Sequence, residues 1–291
     1  MNRSAERWLR PAAWASLGVN ILVVVSGGVV RLTGSGLGCP TWPECTEGSL
    51  TPHGAMGHHA AIEFGNRMVT FLIAVVAIAT FVVCWRSGRR SLSWLSLVLA
   101  LGVPAQAVIG GISVLTDLNP WVVALHLLVS MAMIGVAVLL LRRIDEGDGP
   151  VRWQVSDPVR LLVRVTFAAG WIVLYLGTVV TGSGPHAGDE DAPRNGLDPQ
   201  SMSQLHTDVV MLLAGLTIAA VLVLRAVDAP ALAQRAALTL LGVEVGQGAV
   251  GFLQYFTQLP IGLVTLHLLG AALTSAALTW LLVSIRERVS G

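Results

Sequence analysis

The sequence predicts an all-α integral membrane protein with eight transmembrane helices, arranged as two tandem, pseudo-symmetric four-helix bundles. Three observations support this prediction. The 291-residue chain is 54% hydrophobic and only 12% charged, whereas soluble domains carry about 25% charged residues. Its apolar residues form eight runs that are long enough to cross a bilayer, and motifs of the first half recur in the second half.

Each predicted helix contains the roughly 20 apolar residues that are needed to cross the hydrocarbon core. The first run lacks a small-residue cleavage site, so we expect a retained helix and not a removed signal peptide. In chain order the eight segments are 12–31, 61–85, 92–115, 120–142, 160–182, 203–225, 231–254 and 261–284.

The distribution of arginines predicts the orientation. Arginines precede the first helix, follow the last, and occupy the links between helices 2 and 3, 4 and 5, and 6 and 7, whereas the opposite loops carry mostly acids. By the positive-inside rule, both termini are cytoplasmic. The long loops 32–60 and 183–202 then face outward, as in a multi-pass protein of the cell membrane.

Two motifs reveal the duplication. VVVSGGVVRLTGSGLG (23–38) resembles VLYLGTVVTGSGPH (173–186), and a Leu-His-Leu-Leu segment occurs once in each half. Four-helix repeats keep the same orientation, so the axis that relates them lies along the membrane normal. We therefore expect an N-terminal bundle over 1–145 and a C-terminal bundle over 146–291.

The repeats also match individual polar residues. Gln106 precedes His126 by 20 residues, and Gln247 precedes His267 by the same 20 residues. A weaker match between EFGNRMVTFLIAVVAIA (63–79) and QLHTDVVMLLAGLTIAA (204–220) sets Glu63 against Ser203. That alignment makes Asn66 the counterpart of His206 in the repeat.

Three histidines, His126, His206 and His267, lie inside apolar helices. A polar group in the membrane is costly and by default marks a functional site, although a single histidine could instead hydrogen-bond to a neighbouring helix. The repeated sequence context favours function. His206 and His267 offer two imidazoles in an apolar bundle, which suits bis-histidine haem iron better than zinc, a metal that usually takes three or four ligands.

Glu63, Asn66, Arg67 and Thr70 share one face at the outer start of the second helix. Two interpretations remain open. Glu63 and Arg67 form an ion pair at the membrane surface, or Glu63 points into the bundle to take or give protons beside a substrate. His59, four residues before Glu63, either joins this face or belongs to the solvated loop.

Cys39 and Cys45 are six residues apart in the first long loop. If this loop lies outside the cell, its compartment permits disulfides. A structural or redox-active disulfide is therefore favoured over two free thiols. Cys84 lies near the cytoplasmic end of the second helix and is expected in the core or at the surface.

Together, GSGLGCPTWPEC, IEFGNR, QLHTD and the two Leu-His-Leu-Leu segments resemble the haem A synthase family of cytochrome oxidase assembly. The resemblance covers nearly the whole chain. It implies oxidation of a methyl group of haem O to a formyl group, giving haem A for cytochrome oxidase. It also implies a haem b in the C-terminal bundle and haem O as the substrate in the N-terminal bundle.

The same resemblance implies roles for individual residues. These are haem b ligation by His206 and His267, ligation of the substrate haem by His126, catalysis by Glu63, and a disulfide between Cys39 and Cys45.

Asn66 departs from the family pattern, which commonly has histidine there. We expect an actinobacterial-type variant, with Asn66 and Arg67 bordering the site. Asparagine is a poor axial ligand, so the N-terminal haem has His126 as its evident ligand unless His58 or His59 reaches in. An open iron position would suit chemistry on the substrate. Arg67 pairs either with a propionate or with Glu63.

Two other functions remain open: a b-type haem electron-transfer membrane protein, such as a quinol–haem oxidoreductase, and a non-catalytic haem carrier in oxidase assembly. A transporter fits least, because the helices lack paired interruptions. The resemblance implies haem O synthase as the supplier of substrate and an electron donor that the sequence does not identify. We expect the lipid bilayer as a partner and no nucleic acid, and a homo-oligomer is compatible with the sequence.

Overall fold

The structure is a computed structural model that describes residues 3–39, 41–45, 48–49 and 57–289. Within these residues the chain forms eight long helices and one pair of short strands. The helices are α1 (Arg3–Leu32), α2 (His58–Arg86), α3 (Arg90–Leu115), α4 (Pro120–Asp145), α5 (Asp157–Ser183), α6 (Pro199–Ala226), α7 (Ala231–Phe256) and α8 (Ile261–Ser284). The strands are β1 (Val151–Trp153) and β2 (Arg286–Arg288).

All eight helices are long and apolar enough to span a membrane, which confirms the predicted number and order. The largest difference is in α1, which begins at Arg3 and not at residue 12. The apolar run marks only the part that crosses the membrane, whereas the polar residues before it continue the same helix. Part of the predicted outer loop 32–60 falls outside the described residues.

Within each half, the helices contact one another in a ring, in the order α1–α2–α3–α4 and α5–α6–α7–α8. The halves meet where α8 packs on α1 and α4, and where α4 packs on α5. In the duplication, α5 is the repeat of α1 and α8 is the repeat of α4. The contact of α1 with α8 is therefore equivalent to the contact of α5 with α4. This pairing is the one expected for a duplicated unit related by a twofold axis.

Small residues allow the two halves to approach closely. A β-carbon at Gly135 of α4 would lie 2.9 Å from Oγ1 of Thr279 on α8, and Ser275 Oγ of α8 donates to the Met131 carbonyl of α4 at 2.8 Å. Small and hydroxyl-bearing residues drive helix association in lipid, where the hydrophobic effect is weak. The interface therefore rests on close packing and hydrogen bonds.

The N-terminal ends of the histidine helices are set by proline and, in two of them, by a capping side chain. Pro120 and Pro199 begin α4 and α6, the first turn being where proline is tolerated. Asn119 accepts a hydrogen bond from the Trp121 amide at 3.0 Å, and Asp198 accepts one from the Ser201 amide at 2.7 Å. Pro260 precedes α8 as its N-cap residue.

The two short strands have no signal in the sequence. β1 lies in the polar link between the halves, and β2 follows the last helix; they pair antiparallel, with Arg152 opposite Glu287. A three-residue strand carries no alternation that would distinguish it from a loop. The pairing attaches the end of the chain to the link between the bundles.

Candidate functional site

His206 and His267 lie on two non-adjacent helices of the C-terminal bundle. His206 lies on α6 and His267 on α8, and these helices are separated in the ring by α5 and α7. Both imidazoles are partly buried. Each lies six or seven residues beyond the first residue of its helix, which is about 10 Å along the axis.

A glycine packs against each of these rings. A β-carbon at Gly177 of α5 would lie 3.4 Å from Cε1 of His206, and one at Gly251 of α7 would lie 3.6 Å from Cε1 of His267. The neighbouring helices thus approach each ring with backbone only. Gly177, Gly251 and the equivalent Gly110 of α3 are called here the glycine seats, because a histidine ring packs against each of them.

His126 has the same surroundings in the first half. A β-carbon at Gly110 would lie 3.3 Å from its Cε1. Gln106 donates to the His126 carbonyl at 3.1 Å, and Gln247 donates to the His267 carbonyl at 2.9 Å. The duplication seen in the sequence is therefore present in the contacts as well.

The three histidines share a buried ring nitrogen that is left unpaired. Nδ1 of His126, His206 and His267 is buried without a hydrogen-bond partner among the described residues. His206 alone has a backbone carbonyl, that of Val173, near its ring, but not in hydrogen-bond geometry with Nδ1. Burial of unpaired polar atoms costs free energy, so a role other than helix association explains these residues better.

The donor set fits haem better than a bare metal ion. In the part of the chain that the structure describes, no three His, Cys, Asp or Glu side chains come together in a way that could hold an ion. Two histidines on non-adjacent helices of one apolar bundle are a donor set that suits the iron of a haem. The glycine seats leave the rings free of side-chain crowding on the helix side.

Asn66 on α2 is the residue of the first bundle that is equivalent to His206. Its helix is opposite α4, which carries His126. Its Oδ1 accepts a hydrogen bond from Ser26 Oγ of α1 at 2.7 Å. Gly27 of α1 corresponds to Gly177 in the repeat, yet a β-carbon there would meet no atom of the described residues within 4 Å. At the equivalent position of the first bundle, the α1 glycine therefore has no imidazole packed on it.

Glu63 is buried and bound on both carboxylate oxygens. Oε1 pairs with Nη2 of Arg67 at 2.7 Å, and Oε2 accepts the Cys39 amide at 2.6 Å. The ion pair that the sequence left open is present, while the carboxylate itself is buried. Arg67 Nη2 also lies 3.4 Å from the carbonyls of Cys39 and Thr41, so it pairs with Glu63 and the loop.

The predicted disulfide between Cys39 and Cys45 is present, and both residues are fully buried. The loop that contains it, called here the disulfide loop (39 and 41–45), lies over the end of the first bundle. Its Trp42 packs so closely on Gly111 of α3 that a β-carbon there would collide with the indole. Gly111 adjoins the seat at Gly110, so the disulfide loop covers the bundle near His126.

His58 and His59 lie at the same end of the bundle. Nδ1 of His59 is 3.0 Å from Ser35 Oγ in the segment that follows α1. His58 is exposed, with its ring centroid 3.9 Å from that of His59. His59 thus contacts the segment that follows α1. At the other end of α2, Cys84 is buried in the core.

Several polar contacts were missed by sequence reasoning. Arg31 of α1 donates to the carbonyls of His186 and Thr181 at 2.9 and 3.0 Å and so joins the C-terminal end of α1 to that of α5. Glu244 of α7 is buried and accepts a hydrogen bond from Thr217 of α6 at 2.8 Å. A charged residue within an apolar run was the available signal for Glu244; Arg31 looked like an ordinary end-of-helix arginine.

Comparisons with known proteins agree with this architecture. A family model described as cytochrome oxidase assembly protein matches residues 10–279. Proteins named heme A synthase are 32% identical over 180 residues in Lysinibacillus sphaericus, 32% over 166 in Bacillus pumilus and 26% over 181 in Geobacillus kaustophilus.

The aligned segments cover 60%, 56% and 60% of this chain. They span 57%, 53% and 56% of the length of those relatives, which is somewhat over half. The family model, by contrast, extends over all eight helices. The chain is a multi-pass membrane protein that belongs to the cytochrome oxidase assembly protein family.

Proposed function

We propose that this chain is a haem A synthase, which oxidises a methyl group of haem O to a formyl group. The observation that carries the proposal is the difference between the halves. One bundle presents the pair His206 and His267, whereas the other presents His126 opposite Asn66. The relatives named heme A synthase support the same activity.

In this proposal the C-terminal bundle, 146–291, holds haem b through His206 and His267. A haem b held by these two histidines would supply one-electron transfer. The protein contributes the apolar surroundings and the orientation of the rings. The glycine seats at Gly177 and Gly251 allow each imidazole to stand close to the neighbouring helix.

The N-terminal bundle, 1–145, holds haem O as substrate, with His126 as its axial ligand. Asn66 is held towards α1 by Ser26, and an amide is a weak ligand for iron. The substrate iron therefore keeps one face without a strong protein ligand. The disulfide loop excludes water from the outer end of this bundle, on the side that we place outside the cell.

The chemistry requires an acceptor for protons. As a half-reaction with water as the oxygen donor, conversion of a methyl to a formyl group takes up one water and releases four protons and four electrons. The electrons must pass to an external acceptor, and the protons must leave the site. Glu63 is the buried carboxylate at the mouth of the N-terminal bundle, and a positioned carboxylate is a common proton acceptor. We assign it that role.

The contacts of Glu63 allow this role without leaving Arg67 unpaired. If the ion pair opens, the guanidinium still has the carbonyls of Cys39 and Thr41 at 3.4 Å. Oε1 is then free to take a proton while Oε2 retains the Cys39 amide. Arg67 is therefore a positioning residue that controls when the carboxylate is available.

A b-type electron-transfer protein is the second candidate, and the His206–His267 pair by itself supports it. That function leaves His126, Asn66 and the disulfide loop without a role. Pigment analysis separates the two candidates. The chain is expressed in a host that makes haem O but has no haem A synthase, and extracted haems are separated by chromatography.

Haem A, or its alcohol intermediate, is expected only in membranes that contain the chain. Unchanged haem O together with haem b bound to the purified protein would reject the synthase and leave electron transfer or haem delivery.

A further inference from the structure

A groove of about 470 Å³ opens on the side of the molecule where α4, α5 and α8 meet. Its floor is apolar and includes Val136, Phe167 and Trp171. It runs along the half of the membrane span that is closer to the arginine-rich ends. Lipid acyl chains surround this part of any membrane protein, so the floor faces hydrocarbon.

The mouth of the groove is formed by Trp153, Arg164 and Arg286. Arg164 and Arg160 both lie against the Trp153 ring, with guanidinium carbons 5.3 and 5.0 Å from its centroid. Arg160 is paired with Asp157 at 2.7 Å. Arg164 has no carboxylate within 4 Å in the described part of the chain, so its charge is available to a ligand.

Arg286 is also incompletely compensated. Its Nε is buried without a hydrogen-bond partner among the described atoms. Burial lowers the pKa of Arg286, and the neighbouring Glu146 opposes this effect. Glu146 is shared, because it also lies 3.2 Å from Arg142 and 4.0 Å from Arg143. An added anion would therefore stabilise the charged guanidinium.

We propose that this groove binds an anionic phospholipid, whose phosphate contacts Arg164 and Arg286 and whose acyl chain lies on the apolar floor. Arginine suits phosphate because its planar donors form paired, charge-assisted hydrogen bonds. Basic pockets between transmembrane helices bind anionic head groups in this way. The continuous apolar floor below the two arginines selects a lipid over free phosphate.

A bound lipid would contact both halves of the molecule. The floor contains α4 of the first bundle together with α5 and α8 of the second. The lipid would thus fill the seam between the bundles on the side where small residues bring α4 and α8 together. This inference concerns the membrane fold and does not depend on the proposed function.

A second groove provides an internal control. It lies between α2 and α3, has a volume of about 380 Å³, and is lined by Phe81, Trp85 and Trp94 with Arg90 as its one arginine. It resembles the first groove in its aromatic and apolar lining but lacks the pair of arginines. Arg90→Gln is therefore the matched control for charge removal at a lipid-facing groove.

The experiment is native mass spectrometry of the purified full chain in detergent, titrated with phosphatidylglycerol or phosphatidylcholine. The wild type is expected to bind phosphatidylglycerol preferentially. The double variant Arg164→Gln/Arg286→Gln should bind it about 30-fold more weakly, and Arg90→Gln should behave as the wild type. Unchanged helical circular dichroism shows that each variant is folded.

Ala132→Phe tests the acyl-chain part separately. Ala132 is exposed and lines the floor, so a phenyl group there should weaken lipid binding with both arginines intact. Equal affinity of the wild type for the two lipids, or an unchanged double variant, would overturn the proposal. If Ala132→Phe bound phosphatidylglycerol as the wild type does, and millimolar inorganic phosphate displaced that lipid, the site would be an anion site and the lipid proposal would be overturned.

Discussion

Asn66 is the side chain on which the difference between the two bundles depends most. It is opposite His126, and the repeat aligns it with His206. Ser26 holds its carbonyl oxygen at 2.7 Å, so the amide is fixed by α1. If the N-terminal site needs an open iron position, an imidazole at residue 66 should close that position.

Asn66→His is expected to give the N-terminal haem the absorption spectrum of a low-spin, bis-histidine species and to lower haem A formation at least about tenfold, the cost of occupying the reactive position. The measurement combines optical spectra with haem chromatography. Asn66→Gln, which adds no strong ligand, serves as the control. Unchanged haem A formation by Asn66→His would refute an essential open position.

Glu63 combines a structural contact with the proposed chemistry, and Glu63→Gln separates the two. The amide keeps an oxygen for the Cys39 amide proton but cannot serve as a carboxylate base. We expect haem A formation to fall by about 10²- to 10⁴-fold, the usual range for a lost acid–base group, with haem O still bound. Turnover and haem content are measured on the same preparation.

The control for Glu63→Gln is thiol labelling, which should find Cys39 and Cys45 still oxidised. A variant that retains wild-type turnover would limit Glu63 to anchoring the disulfide loop. A variant that loses both the disulfide and bound haem would show only that the loop is required.

At the scale of elements, the glycine seats hold the histidine helices at a set distance. At Gly251 a β-carbon fits 3.6 Å from the His267 ring, but the further methyl groups of valine would reach the imidazole. Gly251→Val is therefore expected to displace His267 and lower haem b content by more than half. The haem-to-protein ratio of the purified chain is the measurement.

Gly246→Val is the matched control for this variant. Gly246 is exposed on the same helix, and a β-carbon there meets nothing within 4 Å. Both variants carry the same change in helix propensity. Equal haem b content in the two variants would show that the seat at Gly251 does not position the ring.

The link between the bundles contains a pH-dependent contact. Partial burial opposes ionisation of Asp148, but hydrogen bonds from Ser91 and Arg89 together lower the pKa of Asp148 below 3.8. A lowered folded-state pKa contributes stability above the unfolded pKa, and this stability is lost as the pH falls through the folded pKa. The contribution should thus be complete at neutral pH and decline below about 4.

Asp148→Asn should lower the melting temperature at pH 7 by a small amount, because the carboxylate is partly exposed and screened by solvent. The difference from the wild type should shrink as the pH falls below 4. Thermal unfolding in detergent, followed by circular dichroism across this range, tests the expectation. A constant difference at all pH values would exclude titration of Asp148 as its source.

At the scale of the whole molecule, the sequence was sufficient for the number and order of the helices, whereas the roles of the histidines and of Glu63 stay predictions. Apolar length locates a membrane helix, and the repeated Leu-His-Leu-Leu context pairs His126 with His267 across the halves. The disulfide was also foreseen. These features follow from local composition and from internal repetition, both of which can be read along the chain.

Contacts between distant segments could not be read in that way. The hydrogen bond from the Cys39 amide to Glu63 and that from Ser26 to Asn66 depend on which elements become neighbours. The pairing of β1 with β2 joins residues more than 130 positions apart. In each case the local sequence is compatible with several partners, and packing of the whole chain selects one.

The central claim is that two copies of one bundle have been specialised, one for an electron-transfer haem and one for the substrate. The most direct test is the haem composition of the purified wild type, His126→Ala and His206→Ala, each expressed in a host that makes haem O but no haem A. Both variants should lose haem A, while His206→Ala alone should lose haem b. Wild-type haem A formation by His126→Ala, or loss of haem b from both variants, would contradict the division of roles.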